Sequence, residues 1–114
     1  MYSNEDRLEA VEISIENAKH KIALMDSLEK LTKNKDFISI ILNGYFVDEA
    51  SRLVLQKAAP VNQGAEESAY LNKCIDSIAF LNQYFTKVMN EGSMATKALD
   101  EDQQTREELL AGNI

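Results

Sequence analysis

The chain has 114 residues and a net charge of −7, with one proline and one cysteine. This length suits about one small domain with a modest core. The excess of acidic residues disfavours nucleic-acid binding, which depends on clustered lysine and arginine. The lone Cys74 excludes an intrachain disulfide and fits a reducing compartment. No apolar run reaches the roughly 18 residues of a membrane span, and the charged first residues predict no secretory signal.

The first long segment predicts a helix over about residues 4–33. Ser3 can accept hydrogen bonds from the first-turn amides, and Asn34 is a candidate left-handed stop. The apolar positions recur in a heptad pattern, which is typical of a helix that buries one stripe against another helix. These positions are Leu8, Val11, Ile15, Ala18, Ile22 and Met25.

The most apolar stretch, 35–57, predicts two short helices, 36–43 and 46–59. Its β-branched residues would also suit a strand, but no second strand candidate exists to pair with it. Gly44 divides the stretch and is predicted to act as a hinge, since glycine takes a positive φ at little cost. The interpretation is a helical pair that packs on the longer helices.

The next segment predicts a second long helix over 65–91, with Glu66 and Glu67 at its dipole-favoured start. It again carries a heptad stripe, formed by Leu71, Cys74, Ile78, Leu81, Phe85 and Val88. Gly92 is predicted to end this helix and to close a helical domain, 1–92. The acidic remainder, 93–114, predicts a marginal C-terminal helix or tail that is either frayed or docked on a partner.

The scarcity of turn signals together with these stripes predicts an all-α fold. The helices 4–33 and 65–91 are expected to form a long antiparallel hairpin, because two stripes of similar length can bury each other. The short central pair would pack on the hairpin.

No residue pattern predicts catalysis, a cofactor or a metal site. His20 and Cys74 are the only residues of their kinds, whereas zinc needs about four ligands. The acidic series Glu5, Glu9, Glu12 and Glu16 lies opposite the apolar stripe and lacks the Glu-x-x-His motif of di-metal bundles, so it predicts a solvated face. The chain is therefore not expected to be an enzyme.

The two stripes leave apolar residues over, which favours binding of another protein or self-association. Candidate interaction residues are Tyr70, Phe80, Met89, Met94, Leu99, Leu109 and Leu110.

Two blocks of the sequence carry a resemblance. The run LEKLTKNKDFISIILNGYFVDEASRLVLQKAAP and the later AFLNQYFTKVMNEGSMATKAL, within about residues 28–99, resemble small helical proteins of tailed bacteriophages. The shared features are a lysine- and asparagine-rich turn before an Asp-Phe apolar helix, then Gly-Tyr, and a second block with Leu-x-Gln-Tyr-Phe. The resemblance implies a virion or assembly protein near the head or neck, and it brings no catalytic residues.

Two functions follow as expectations. The first is a structural or assembly component of a phage virion, present as a homo-oligomer or in many copies on a larger shell. The alternative is a free cytosolic adaptor or inhibitor that binds a host protein through its acidic surface. The expected location is the virion or the host cytoplasm, with protein partners, no nucleic acid and no membrane.

Overall fold

A computed structural model describes residues 3–112, which are almost entirely helical and contain no strand. Helix α1 is Asn4–Leu31, and helix α2 covers residues 35–58. A 3₁₀ turn, Pro60–Asn62, precedes helix α3, Ala65–Leu110. The long helices α1 and α3 pack against each other, which confirms the all-α class and the pairing of two long helices.

The chain divides into two compact units. The terminal unit consists of the residues up to Leu28 and those from Lys87 onward, and the central unit is Glu29–Thr86. The predicted domains, 1–92 and 93–114, are not these units, and their outer limits at residues 1 and 114 lie outside the described part of the chain. No structural break occurs at the predicted boundary, because α3 runs through it.

The terminal unit buries the heptad stripe of α1 against the second part of α3. Ile15 is only 1% exposed, and Ala18 and Leu28 are also buried. On α3 the stripe continues past Val88 at the same spacing, through Gly92, Ala95, Leu99, Asp102, Arg106 and Leu109, all of them buried or half-buried. The second helix of the predicted hairpin, α3, is thus longer than the sequence indicated.

Gly92 does not end a helix, contrary to the prediction. It is buried within α3, where it faces Met25 of α1. A Cβ at this position would lie 2.4 Å from Met25 Cβ and 2.6 Å from Met25 Sδ. Glycine at this position therefore allows the two helices to pack closely, and it does not form a turn. The stability gained from this packing exceeds the stability lost by placing a glycine inside a helix.

The predicted marginal C-terminal helix is also wrong, since residues 93–110 belong to α3 and pack on α1. Two polar residues occupy positions of this stripe and interrupt its apolar pattern in the sequence. Asp102 accepts a hydrogen bond from the Ser14 hydroxyl, and Arg106 lies 3.7 Å from a carboxylate oxygen of Glu12. Polar seam positions with partners across the interface can fix the register of paired helices.

In the central unit α2 is one continuous helix rather than a pair. Its middle part, Ile38–Glu49, is π-helical, with a wider turn than the α-helix. Gly44 lies inside this part and does not have a positive φ, so the predicted hinge is wrong. The more buried side chains recur about every four residues, as Ile41, Tyr45 and Glu49 illustrate, so a single widened helix keeps them on one face.

The core of the central unit is formed by Leu53, Leu71 and Ile78, with Tyr45, Phe46, Ala50, Cys74 and Ile75 packed around it. Phe85 extends this core as an aromatic cluster. Its ring centroid lies 5.9 Å from that of Phe37 and 5.7 Å from that of Phe46, the second pair edge to face. These contacts hold both ends of the π-helical part against the first part of α3.

The helix ends are set by short-range hydrogen bonds. Ser3 and Asp6 exchange side-chain-to-amide bonds at the start of α1, which confirms the predicted cap. Asn34 is extended rather than left-handed, and its side chain accepts from the Phe37 amide, so it begins α2 instead of stopping α1. At the end of α2, the side-chain amides of Asn62 and Gln63 donate to the carbonyls of Gln56 and Lys57 in its last turn.

Candidate interaction surfaces

The structure separates the predicted interaction residues into exposed and covered ones. Tyr70, Phe80, Met94 and Leu110 are between 64% and 70% exposed. Met89 and Leu99 are half-buried, and Leu109 is buried. Leu109 therefore belongs to the core of the terminal unit, where it sits on the α3 stripe, and it cannot form part of a free surface.

Three aromatic side chains form an exposed stripe on α3 in the central unit. Tyr70 is 67% exposed, Phe80 64% and Tyr84 50%. Their spacings of ten and four residues place them on one face of a helix. The sequence predicted Tyr70 and Phe80 as interaction residues but not Tyr84. The three residues, here named the aromatic stripe, offer large rigid contact area of the kind that dominates protein interfaces.

A small depression of about 430 Å³ lies beside the aromatic stripe, between α2 and the start of α3. Arg52 lies along it and donates hydrogen bonds to the Glu49 carboxylate and to Gln56. The bond from Arg52 holds the pKa of Glu49 below its ordinary value, and the Glu49 carboxylate in turn raises the pKa of Arg52.

On the α3 side of the depression, the neighbouring Cys74 side chain raises the pKa of Tyr70. Tyr70 therefore stays a neutral phenol throughout the physiological pH range. The depression presents the Arg52–Glu49 ion pair, the phenol of Tyr70 and the thiol of Cys74. This set is polar enough to orient a partner side chain.

Further apolar side chains are exposed on α2. Ile40 is 66% exposed, and Val47 and Val54 are each 55% exposed. The seven-residue spacing does not place Ile40 and Val47 on one face, because both lie in the π-helical part, whose turn is wider than that of an α-helix. The central unit thus exposes apolar side chains on both α2 and α3.

The terminal unit contains a groove of about 640 Å³ between α1 and α3. Small side chains, among them Ala10, Ala18, Ala95 and Ala98, form much of its lining. Ile13 and Met94 stand beside them, 55% and 70% exposed. Packed helices insert large side chains of one helix into the spaces beside small side chains of the other, and this surface carries both kinds.

The remaining candidate residues do not assemble into a chemical site. His20 is exposed on α1, and Cys74 is half-buried in the central unit. Among residues 3–112 no group of three or more His, Cys, Asp and Glu side chains could hold a metal ion. None of the helices in that range is long and apolar enough to cross a membrane.

Comparison of the chain with protein-family models, with curated proteins and with solved structures found no match.

Proposed function

We propose that this protein is a non-enzymatic protein–protein interaction module that serves as a structural or assembly component of a tailed-phage virion. It acts in multiple copies or bound to a larger shell in the head or neck region. The single observation that carries the interaction function is the aromatic stripe of Tyr70, Phe80 and Tyr84, half or more exposed on one helix face.

The physical argument rests on the cost of leaving such a face in water. Burying apolar surface is worth about 25 cal/mol per Å², and an aromatic side chain buries roughly 150–250 Å². Three aromatic side chains on one face could therefore supply a large share of the free energy of a stable complex. Isolated exposed apolar residues need no explanation, but a stripe of three aromatic rings is a recurring property of binding surfaces.

The phage setting is supported by the sequence resemblance over residues 28–99. That range contains α2, on which Ile40, Val47 and Val54 are exposed, and the aromatic stripe. An assembly role would give both surfaces an occupant, since shell and neck proteins meet several neighbours at once.

The test is mass spectrometry of purified particles from a phage that encodes this chain. We expect several copies per particle for the wild type, and few or none for Phe80→Glu, because a charge in the buried centre of an interface is costly. Val61→Glu is the matched control, since Val61 is 83% exposed and lies outside the stripe. Circular dichroism should show unchanged helicity for both variants. Absence of the wild-type chain from particles and from assembly intermediates contradicts the proposal.

A second candidate is the free adaptor that binds a basic host protein. Its supporting observation is the acidic end of α3, where Asp100, Glu101 and Glu107 are exposed. Truncation after Gly92 would remove buried Leu109 and expose the core of the terminal unit, so neutralisation of the three carboxylates to amides is the cleaner experiment. Capture of a host protein that falls with this neutralisation, but not with Phe80→Glu, favours the adaptor.

A further inference from the structure

The groove of the terminal unit is suited to one particular occupant. Ala10, Ile13, Ser14 and Asn17 lie at the four helical positions that surround a hole on a helix surface. Ile13 is one of these four residues, and its exposed side chain could also enter the matching hole on a facing helix. A surface that supplies both the projecting side chain and its receptor can bind a copy of itself through a two-fold axis.

The charges along α1 are arranged in the same self-complementary way. One depression beside Ile13 is lined by Asp6, Arg7 and Glu9, which together carry a net negative charge. The groove on the other side extends to Lys21. Two copies of α1 that cross antiparallel near Ile13 would bring the acidic end of each to the basic position of the other.

We propose that this groove binds a second copy of the chain, with the two α1 helices antiparallel and centred between Ile13 and Ser14. In this arrangement the Ile13 side chain of each copy enters the hole that Ala10, Ile13, Ser14 and Asn17 surround on the other copy. Lys21 of each copy faces Asp6 of the other, because the two residues are equally far from the centre of the antiparallel pair, and Glu9 lies about one helical turn from Asp6. The unit so formed is a four-helix bundle made of α1 and α3 from both copies.

Two further charges face this arrangement. Glu91 on α3 lines the groove at the Lys21 end and is half-buried. Arg7 lies among the acidic residues at the opposite end. Neither forms an ion pair within residues 3–112, whereas Glu12, on the other side of α1, pairs with Arg106 of the same chain. Glu12 therefore contributes to the fold of one copy rather than to the contact between copies.

The inference rests on the proposed interaction function and names one of its partners. The experiment is sedimentation equilibrium of the full chain over a wide concentration range. The wild type should form a dimer, and Ile13→Glu should remain a monomer. Leu110→Glu, also in the terminal unit and 67% exposed, is the matched control and should dimerise as the wild type does. A monomeric wild type, or an Ile13→Glu variant that dimerises normally, overturns the proposal.

A charge exchange tests the antiparallel pairing itself. Lys21→Glu alone and Glu9→Lys alone should each weaken dimerisation about tenfold, because each places like charges together at two symmetric points. The double variant should recover most of the wild-type affinity. Failure of this recovery overturns the antiparallel register even if a dimer exists.

The inference and the proposed function fail separately. A monomeric chain that is still incorporated into particles removes only the dimer. A dimer that responds to these variants but is absent from particles and their assembly intermediates removes only the virion role.

Discussion

Gly92 is the position where one added methyl group should have the largest and most informative effect. In Gly92→Ala the new Cβ would lie 2.4 Å from Met25 Cβ, 2.6 Å from Sδ and 2.9 Å from Cγ. Carbon atoms in contact normally lie about 3.5–4.0 Å apart. Rotation of the Met25 side chain can move Sδ and Cγ away but leaves Cβ in place, so the backbones of α1 and α3 must separate by more than 1 Å.

Two terms of opposite sign determine the net change in the free energy of unfolding. Overpacking of a well-packed contact costs about 1–3 kcal/mol, and a clash with Cβ belongs at the upper end. Replacement of a helical glycine by alanine returns about 0.8–1 kcal/mol. We therefore expect Gly92→Ala to destabilise the protein by about 2 kcal/mol, as measured by urea denaturation followed by circular dichroism.

Two matched variants make this result interpretable. Asn90→Ala lies on the same helix at an exposed position, so it should be neutral or slightly stabilising. In a Met25→Gly background the obstructing atoms are gone, and Gly92→Ala should there become stabilising. If Gly92→Ala stabilises the otherwise wild-type protein by about 1 kcal/mol, helix preference alone acts and the close approach of α1 and α3 at this point is wrong.

Three further outcomes are expected. Ile15→Ala should cost about 2–5 kcal/mol in urea denaturation, whereas Leu24→Ala, at an exposed position of the same helix, should cost less than about 1 kcal/mol; equal costs would contradict the assigned face of α1. Phe85→Leu should cost about 1–3 kcal/mol through the loss of its aromatic pairs with Phe37, Phe46 and Tyr84, and an unchanged midpoint would argue against the cluster. The carboxyl carbon of Glu49 should titrate below its ordinary range by NMR and return to it in Arg52→Gln, since the guanidinium favours the ionised form. Because the pKa of Glu49 is lower in the folded than in the unfolded protein, the contribution of this pair to stability is present above the unfolded pKa and is lost as the pH falls through the folded pKa. A Glu49 titration midpoint that is identical in both proteins would show that the pair does not form in solution.

The repeating apolar stripes could be interpreted without the structure. The positions from Leu8 to Met25, and those from Leu71 to Val88, were identified from spacing alone, since a helix must bury a face that recurs at its own period. The exposure of Tyr70 and Phe80 followed in the same way, because both residues lie off the stripe.

The ends of the helices were harder to predict, because a glycine can either end a helix or lie inside one where a neighbouring helix packs closely. Gly44 and Gly92 were both interpreted as interruptions, yet each lies inside a helix. At Gly92 the deciding factor is the approach of Met25 from a distant part of the chain, which local sequence does not reveal. At Gly44 it is the packing of α2 on α3, which holds a widened helix together.

The sequence by itself determined the all-α class, the buried faces of the two long helices and the surplus of apolar surface, because each follows from the period of the side chains along one helix. Only the tertiary structure decided that α3 continues from residue 91 to Leu110. Its stripe includes Asp102 and Arg106, which look like solvent-facing residues until Ser14 and Glu12 meet them across the interface. A polar residue can occupy a buried seam only if its partner is already in place, and the location of that partner is a property of the folded chain.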